Sequence, residues 1–121
     1  MTLYIGGRTV SAVQKPTFFI LTALAARPLH GYGIVQSVVD LSGGELTLRP
    51  GTLYGALDRL DQQGLIEIDR EEAVDGRLRR YYRLSDSGAA ALAEEAGRLR
   101  RHAAVADHQL GLRPGVAGGA A

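Results

Sequence analysis

The chain has 121 residues, 45% of them hydrophobic, which suits one domain with extensions and is too short for two independent hydrophobic cores. It contains no cysteine, which excludes a disulfide framework and thiolate metal sites such as zinc fingers. The formal net charge of +1 is not that of a strongly basic nucleic-acid binder, so any such contact depends on where individual charges lie.

The sequence gives no sign of a membrane segment or of export. Its longest apolar run, Phe18 to Ala26, is about half of the ~20 residues needed to cross a bilayer. Residues 1–15 lack the basic start and the continuous apolar segment of a secretory signal. We therefore expect a cytoplasmic protein with no membrane contact.

Two short helices are predicted first. Pro16 suits the first turn of a helix whose apolar residues recur at helical spacing until Arg27-Pro28 ends it. After a connection rich in glycine and proline, a second apolar stripe runs from Ile34 to Leu41 and ends at Gly43-Gly44.

A third helix is predicted from Pro50 to a left-handed stop at Gly64. Helical periodicity puts one set of its residues in the core: Leu53, Ala56, Leu57 and Leu60. The opposite face carries Gly51 and Arg59 together with acidic and amide side chains. That face has too little positive charge to attract a polyanion by itself.

A β-hairpin follows the third helix. Two alternating segments flank Asp75-Gly76, a turn signal, and the alternation directs Ile66 and Ile68 inward on the first strand. On the second strand it directs Leu78, Tyr82 and Leu84 inward. Arg77, Arg79 and Arg83 then form a cationic outer face, with Arg80 near the hairpin end.

The segment after Ser85, a predicted N-cap, has the narrow apolar stripe of a long helix. The stripe repeats at intervals of three and four residues: Ala89, Leu92, Ala96, Leu99, Ala103, Ala106 and Leu110. A helix of about 25 residues is about 37 Å long, too long to be buried against so small a body. We expect this stripe, from Leu92 onward, to pair with a second copy of the chain.

Three helices followed by a hairpin form a winged helix-turn-helix, a mainly α (α+β) fold in which the third helix enters the major groove of DNA. The arginines on the wing would supply the phosphate attraction that the third helix lacks. A winged helix that binds only protein is the alternative, because this fold also serves that purpose.

Enzyme and cofactor sites are not predicted. The three histidines lack metal-ligand spacing, and the sequence has no nucleophile elbow, phosphate-binding loop or HExxH motif. His30 is expected to pack or cap rather than bind a ligand. We predict no catalytic residues, no metal and no cofactor.

Three segments in order and spacing, ILTALAARPLHGYGI, PGTLYGALDRLDQQGLIE and GRLRRYYRLSDSG, resemble the PadR family of bacterial transcriptional regulators. The resemblance covers about Phe18 to Gly88. It implies a homodimeric repressor that binds a palindromic operator, of the compact branch with one C-terminal helix. Some compact relatives bind planar aromatic drugs with a tryptophan on that helix, which this sequence does not contain.

Carried over by position, the resemblance places further residues near DNA: Tyr32, Thr52, Tyr54, Arg77, Arg79, Arg80 and Tyr81. With Gly51 and Arg59 they make up the expected DNA-binding set, and a small-molecule effector is left open. The predicted organisation is a disordered N-terminal arm (1–15), the DNA-binding domain (16–84), the dimerisation helix (85–110) and a disordered tail (111–121).

Overall fold

The computed structural model describes residues 2–5, 8–11 and 13–115. Its elements in chain order are β1 (Thr2–Ile5), β2 (Arg8–Ser11), α1 (Lys15–Ala26), β3 (Leu29–His30), α2 (Gly31–Leu41), α3 (Pro50–Gln62), β4 (Ile66–Val74), β5 (Arg77–Leu84) and α4 (Asp86–Gly111). Three helices, a hairpin and a long last helix confirm the predicted α+β winged helix-turn-helix fold.

The core lies between α1, α2, α3 and the base of the hairpin. The four predicted apolar residues of α3 are all buried, with Leu53 and Leu57 only 2% and 1% exposed. Ile20, Ile34 and Val38 from the first two helices meet them and are fully buried. Each such aliphatic side chain contributes about 1.5–3 kcal/mol when removed from water, so this stripe holds α3 in place.

The sheet has the strand order β3-β5-β4 and is antiparallel throughout. Asp75 and Gly76 both have positive φ, 51° and 75°, as a tight two-residue hairpin turn requires. The two-residue strand β3 pairs Leu29 with Tyr82 and His30 with Tyr81, and it was not predicted. This pairing ties the start of α2 to the hairpin.

Two residues predicted to face the core are exposed instead. Ile68 is 43% exposed and Leu78 is 68% exposed. The register shifts between Ile68 and Arg70, which marks a β-bulge that interrupts the alternation, and most residues of both strands nearer the turn are exposed. Alternation correctly placed Tyr82, which is buried and pairs with β3.

Helix α4 begins where predicted. The Ser85 hydroxyl accepts a hydrogen bond from the Gly88 amide at 3.0 Å and donates one to the Gly64 carbonyl at 2.6 Å. A Cβ at Gly88 would lie 1.9 Å from the Leu65 carbonyl oxygen, so only glycine permits this contact. The cap therefore fixes the direction in which α4 leaves the domain.

The N-terminal segment differs from the expected disordered arm. Strands β1 and β2 pair antiparallel, with Thr2 opposite Ser11 and Ile5 opposite Arg8. Both strands are rich in β-branched residues and the sequence between them is Gly-Gly, which is a hairpin signal. Of the predicted disordered tail, residues 116–121 lie outside the described residues.

Candidate nucleic-acid interface

A groove of about 760 Å³ separates α3 from the hairpin, and the start of α2 closes one end. Its lining residues are His30, Gly31, Tyr32, Tyr54, Asp58, Val74, Asp75, Arg77, Leu78, Arg79, Arg80 and Tyr82. The fold thus brings together five of the predicted DNA-binding residues, which are Tyr32, Tyr54, Arg77, Arg79 and Arg80.

The other predicted residues of α3 lie outside this groove. Thr52 and Arg59 are both exposed and are seven residues, about two turns, apart on one flank of the helix. Gly51 is exposed near the helix start, with open space around it. The flank with Thr52 and Arg59 lies on a different side of α3 from Tyr54 and Asp58, which line the groove.

Tyr54 is positioned by its contact with α2. A Cβ at Gly31 would lie only 2.6 Å from the Tyr54 hydroxyl oxygen, so glycine is needed for the ring to lie there. Tyr54 remains 52% exposed, and Tyr32, one residue after Gly31, is 70% exposed. Two tyrosines with polar tips therefore face solvent where α2 and α3 meet.

Tyr81 does not line the groove and instead packs against Arg70 and His30. The Arg70 guanidinium lies 3.9 Å from the centre of its ring, and the His30 ring meets it edge-on at 5.3 Å. Partial burial lowers the pKa of His30, and the positive charge of Arg79 lowers it further, whereas Glu72 raises it. His30 packs as expected, although its side chain caps no helix.

The arginines of the wing differ in their ion pairing. Arg83 donates to Glu67 at 2.9 Å and to Asp69 at 3.2 Å, and Arg80 lies 3.7 Å from Glu71. The predicted cationic outer face is therefore wrong at Arg83, because β4 places carboxylates directly opposite it.

Of the three arginines that line the groove, Arg80 is paired with Glu71, and Arg77 and Arg79 remain. Among the described residues, neither forms an ion pair with a carboxylate; Glu72, which lies opposite Arg79 in the strand register, is paired with Arg70 instead. Arg77 is exposed and Arg79 is half-buried beside the groove. A guanidinium without a protein carboxylate is available to a phosphate oxygen, which it matches well in geometry.

The carboxylates of β4 are held by these neighbouring cations. The hydrogen bond from Arg70 is the main cause that lowers the pKa of Asp69, and Arg83 adds to it. Arg70 also lowers the pKa of Glu72. These acids are ionised at neutral pH. Their negative charge opposes a polyanion, so the hairpin can attract one only on the side that faces the groove.

The sequence matches the model of the transcriptional regulator PadR-like family over residues 20–94. This chain belongs to the PadR-like family. Over 76 residues it is 41% identical to the transcriptional regulator Rv3488 of Mycobacterium tuberculosis, an alignment that covers 63% of this chain and 67% of that protein.

Solved structures agree with the PadR-like fold. A PadR family transcription regulator from Clostridium difficile has a TM-score of 0.67 at 25% identity, covering 80% of this chain and 99% of its own. Bacillus subtilis PadR in complex with operator DNA has a TM-score of 0.60 at 24% identity, covering 67% of this chain and 47% of its own. The family and these relatives are transcriptional regulators, in agreement with the expectation that the chain is not an enzyme.

The predicted dimerisation residues of this PadR-like chain fall into two groups. Both Leu92 and Ala96 are half-buried, and Leu92 packs against the core of the chain's own domain. Further along α4, Leu99 is 43% exposed and Leu110 is 61% exposed, and Ala103 and Ala106 between them are also exposed. The second group forms an apolar face that the described part of the chain does not cover.

Seven residues that line the groove of this PadR-like chain were outside the expected DNA-binding set: His30, Gly31, Asp58, Val74, Asp75, Leu78 and Tyr82. Their position depends on the β3–β5 pairing and on the length of the hairpin, which the sequence pattern does not reveal. Within the described residues, no helix is long and apolar enough to span a bilayer, and no cluster of side chains is suited to a metal ion.

Proposed function

We propose that this chain is a DNA-binding transcriptional repressor that acts in the cytoplasm as a homodimer on a palindromic operator. The observation that carries the proposal is the groove between α3 and the hairpin. One wall offers exposed polar groups of a helix, and the other offers Arg77 and Arg79, which form no ion pair with any residue that the structure describes. Base edges are read by the first kind of group and phosphates are bound by the second.

The relatives support the DNA-binding part of this proposal. Family membership makes the chain a transcriptional regulator, and the related Bacillus subtilis PadR is a protein whose structure holds operator DNA. Repression is the outcome implied by the family resemblance of the sequence.

The exposed face of α4 supports the dimer. Leu99, Ala103, Ala106 and Leu110 repeat at four-, three- and four-residue intervals, the spacing of a helix that packs along another. A two-fold dimer presents two α3 helices and so favours an operator of two inverted half-sites. A small-molecule effector between the subunits is part of the proposal, and release of bound DNA by candidate compounds would test it.

Gel retardation on the DNA upstream of the chain's own gene tests the function. We expect a retarded complex whose log binding constant falls linearly with log salt concentration, by about 0.9 for each phosphate that the protein neutralises. A complex that is insensitive to salt, or none at low salt, would contradict DNA binding and favour a winged helix that binds protein.

A further inference from the structure

The face of α3 turned away from the core has two glycines near its centre. At 100° per residue, its centre is occupied by Gly51, Gly55, Asp58 and Gln62. No atom lies within 4 Å of a Cβ built at Gly51, and the nearest at Gly55 is the Arg59 Nη1 at 3.6 Å. Packing within the described residues thus does not require glycine at either position. Two glycines there leave the backbone open to the close approach of a large partner.

Asp58 is the acidic side chain that α3 directs into the groove. It is exposed and lines the groove, and within the described residues it forms no ion pair and no side-chain hydrogen bond. Asp61, the other acid of α3, is also exposed but does not line the groove. A ligand in the groove would therefore meet Asp58 but not Asp61.

Helix stability does not account for Asp58. Carboxylates stabilise the first turn of a helix through its dipole, but Asp58 lies in the second half of α3, where the dipole is unfavourable to it. Aspartate is also a weak helix former. Its position contributes little to the helix and, beside a polyanion, opposes attraction, which leaves hydrogen bonding to a base edge as the role that its chemistry fits.

We propose that Asp58 determines sequence specificity by accepting a hydrogen bond from the N4 amino group of a cytosine in the major groove. This inference rests on the proposed function. An ionised carboxylate can only accept, and among the base edges of the major groove the amino donors belong to cytosine and adenine. Adenine presents its N7 acceptor beside the amino group and repels a carboxylate, whereas cytosine presents the donor alone.

The same carboxylate acts against wrong sequences. Where the base edge presents only acceptors, as thymine O4 or guanine N7 and O6 do, the Asp58 charge is left close to partial negative charge with no donor. DNA sites with such a base at this position are rejected by repulsion. Asp58 therefore adds specificity by weakening the binding of wrong sequences, not by strengthening that of the right one. The arginines across the groove then supply the attraction common to all sequences.

Selection of binding sites from a random double-stranded DNA library tests this role. The full-length wild-type chain is compared with Asp58→Ala, Asp58→Asn and the matched control Asp61→Asn. We expect wild type and the control to enrich the same half-site, with cytosine required at one position. Asp58→Ala should lose the preference at that position alone, and Asp58→Asn should shift it to adenine, whose N6 and N7 match an amide.

Direct binding then gives the size of the effect. Replacing that cytosine by thymine should weaken wild-type binding at least about fivefold and should leave Asp58→Ala nearly unaffected. Identical enriched sites for wild type, Asp58→Ala and Asp58→Asn would overturn the inference while leaving the proposed function intact. No enrichment by the wild type would instead overturn the proposed function and this inference with it. Because Asp58 is exposed, circular dichroism is expected to show an unchanged fold in each variant.

Discussion

Gly31 and Tyr54 touch where α2 meets α3, at a distance that leaves no room for a β-carbon. A Cβ at residue 31 would lie 2.6 Å from the Tyr54 hydroxyl oxygen and 3.2 Å from Cζ. Because Tyr54 is half exposed, its ring can respond by turning outward instead of forcing the helices apart. The groove depends on this contact for its shape.

Replacing Gly31 by alanine is therefore expected to change binding more than stability. Gly31 is buried, but a Cβ there would meet the end of a half-exposed side chain that can move, so we expect the free energy of unfolding to change by less than about 1 kcal/mol. The affinity for operator DNA should fall severalfold, because the displaced ring occupies the end of the groove. Thermal unfolding and gel retardation measure the two effects.

Gly33→Ala is the matched control for this experiment, since a Cβ at Gly33 meets its nearest atoms at an ordinary 3.5 Å. Adding Tyr54→Phe to Gly31→Ala removes the nearest clashing atom and should recover part of the affinity. Wild-type affinity in Gly31→Ala alone would show that the position of Tyr54 is unimportant for DNA.

Arg77 and Arg79, which form no ion pair in the described part of the chain, give a second prediction. Changing Arg77 and Arg79 together to glutamine should weaken binding to all DNA sequences alike, because bonds to phosphates carry no sequence information. The slope of log affinity against log salt should decrease in magnitude by about 0.9 for each phosphate that the variant no longer neutralises. Retardation assays at several salt concentrations measure that slope.

Arg83→Gln is the control, because Glu67 and Asp69 already hold this guanidinium. We expect it to leave the salt slope unchanged. An equal decrease of slope in both variants would mean that Arg83 exchanges its carboxylate partners for phosphates on binding.

Comparison of Leu53 with Arg83 shows which features the sequence could predict. Helical periodicity is local, so the buried stripe from Leu53 to Leu60 followed from spacing alone. The neutralisation of Arg83 depends on Glu67, sixteen residues earlier, and on a register that shifts between Ile68 and Arg70. Alternation cannot supply that register, and it predicted a cationic face where ion pairs lie.

The groove itself was only partly predictable, for a similar reason. Alternation assigns Leu78 to the face shared with Tyr82. It does not reveal that this part of the hairpin is mostly exposed, Leu78 included. Strand β3 has two residues, too few for any pattern, yet its pairing brings Gly31 and His30 to the groove. The arginines and tyrosines were expected near DNA because they matched a family motif.

The exposed face of α4 predicts an interface. Leu99→Glu would place a charge in the apolar face, and a buried unpaired charge is strongly destabilising for an association. We expect this variant to be monomeric, with a mass near 12.9 kDa, where the wild type should have twice that mass. Size-exclusion chromatography with light scattering gives the mass.

Val105→Glu is a closely matched control. Val105 is apolar and 63% exposed, but it lies on a different side of α4 from the repeat that contains Leu99. Its substitution should leave the dimer intact. If Leu99→Glu stayed dimeric and Val105→Glu did not, the interface would lie on the other side of the helix.

Glu95 gives the last prediction, which concerns pH. It is a buried carboxylate of α4, only 8% exposed, and its side chain accepts hydrogen bonds from Arg98. These bonds lower the pKa of Glu95 below its ordinary value, although partial burial acts in the opposite direction. A carboxyl whose pKa is lower in the folded state stabilises the fold above its unfolded pKa, and this contribution disappears as the pH falls through the folded pKa.

Glu95→Gln should therefore lower the melting temperature at neutral pH, and the difference from the wild type should shrink as the solution is acidified below the ordinary carboxyl range. Glu94→Gln is the control, because Glu94 is an exposed neighbour with no side-chain hydrogen bond among the described residues. Its melting temperature should follow that of the wild type at every pH. If the melting temperature of Glu95→Gln stayed below that of the wild type by the same amount in acid, the side chain would stabilise α4 by packing rather than by its charge.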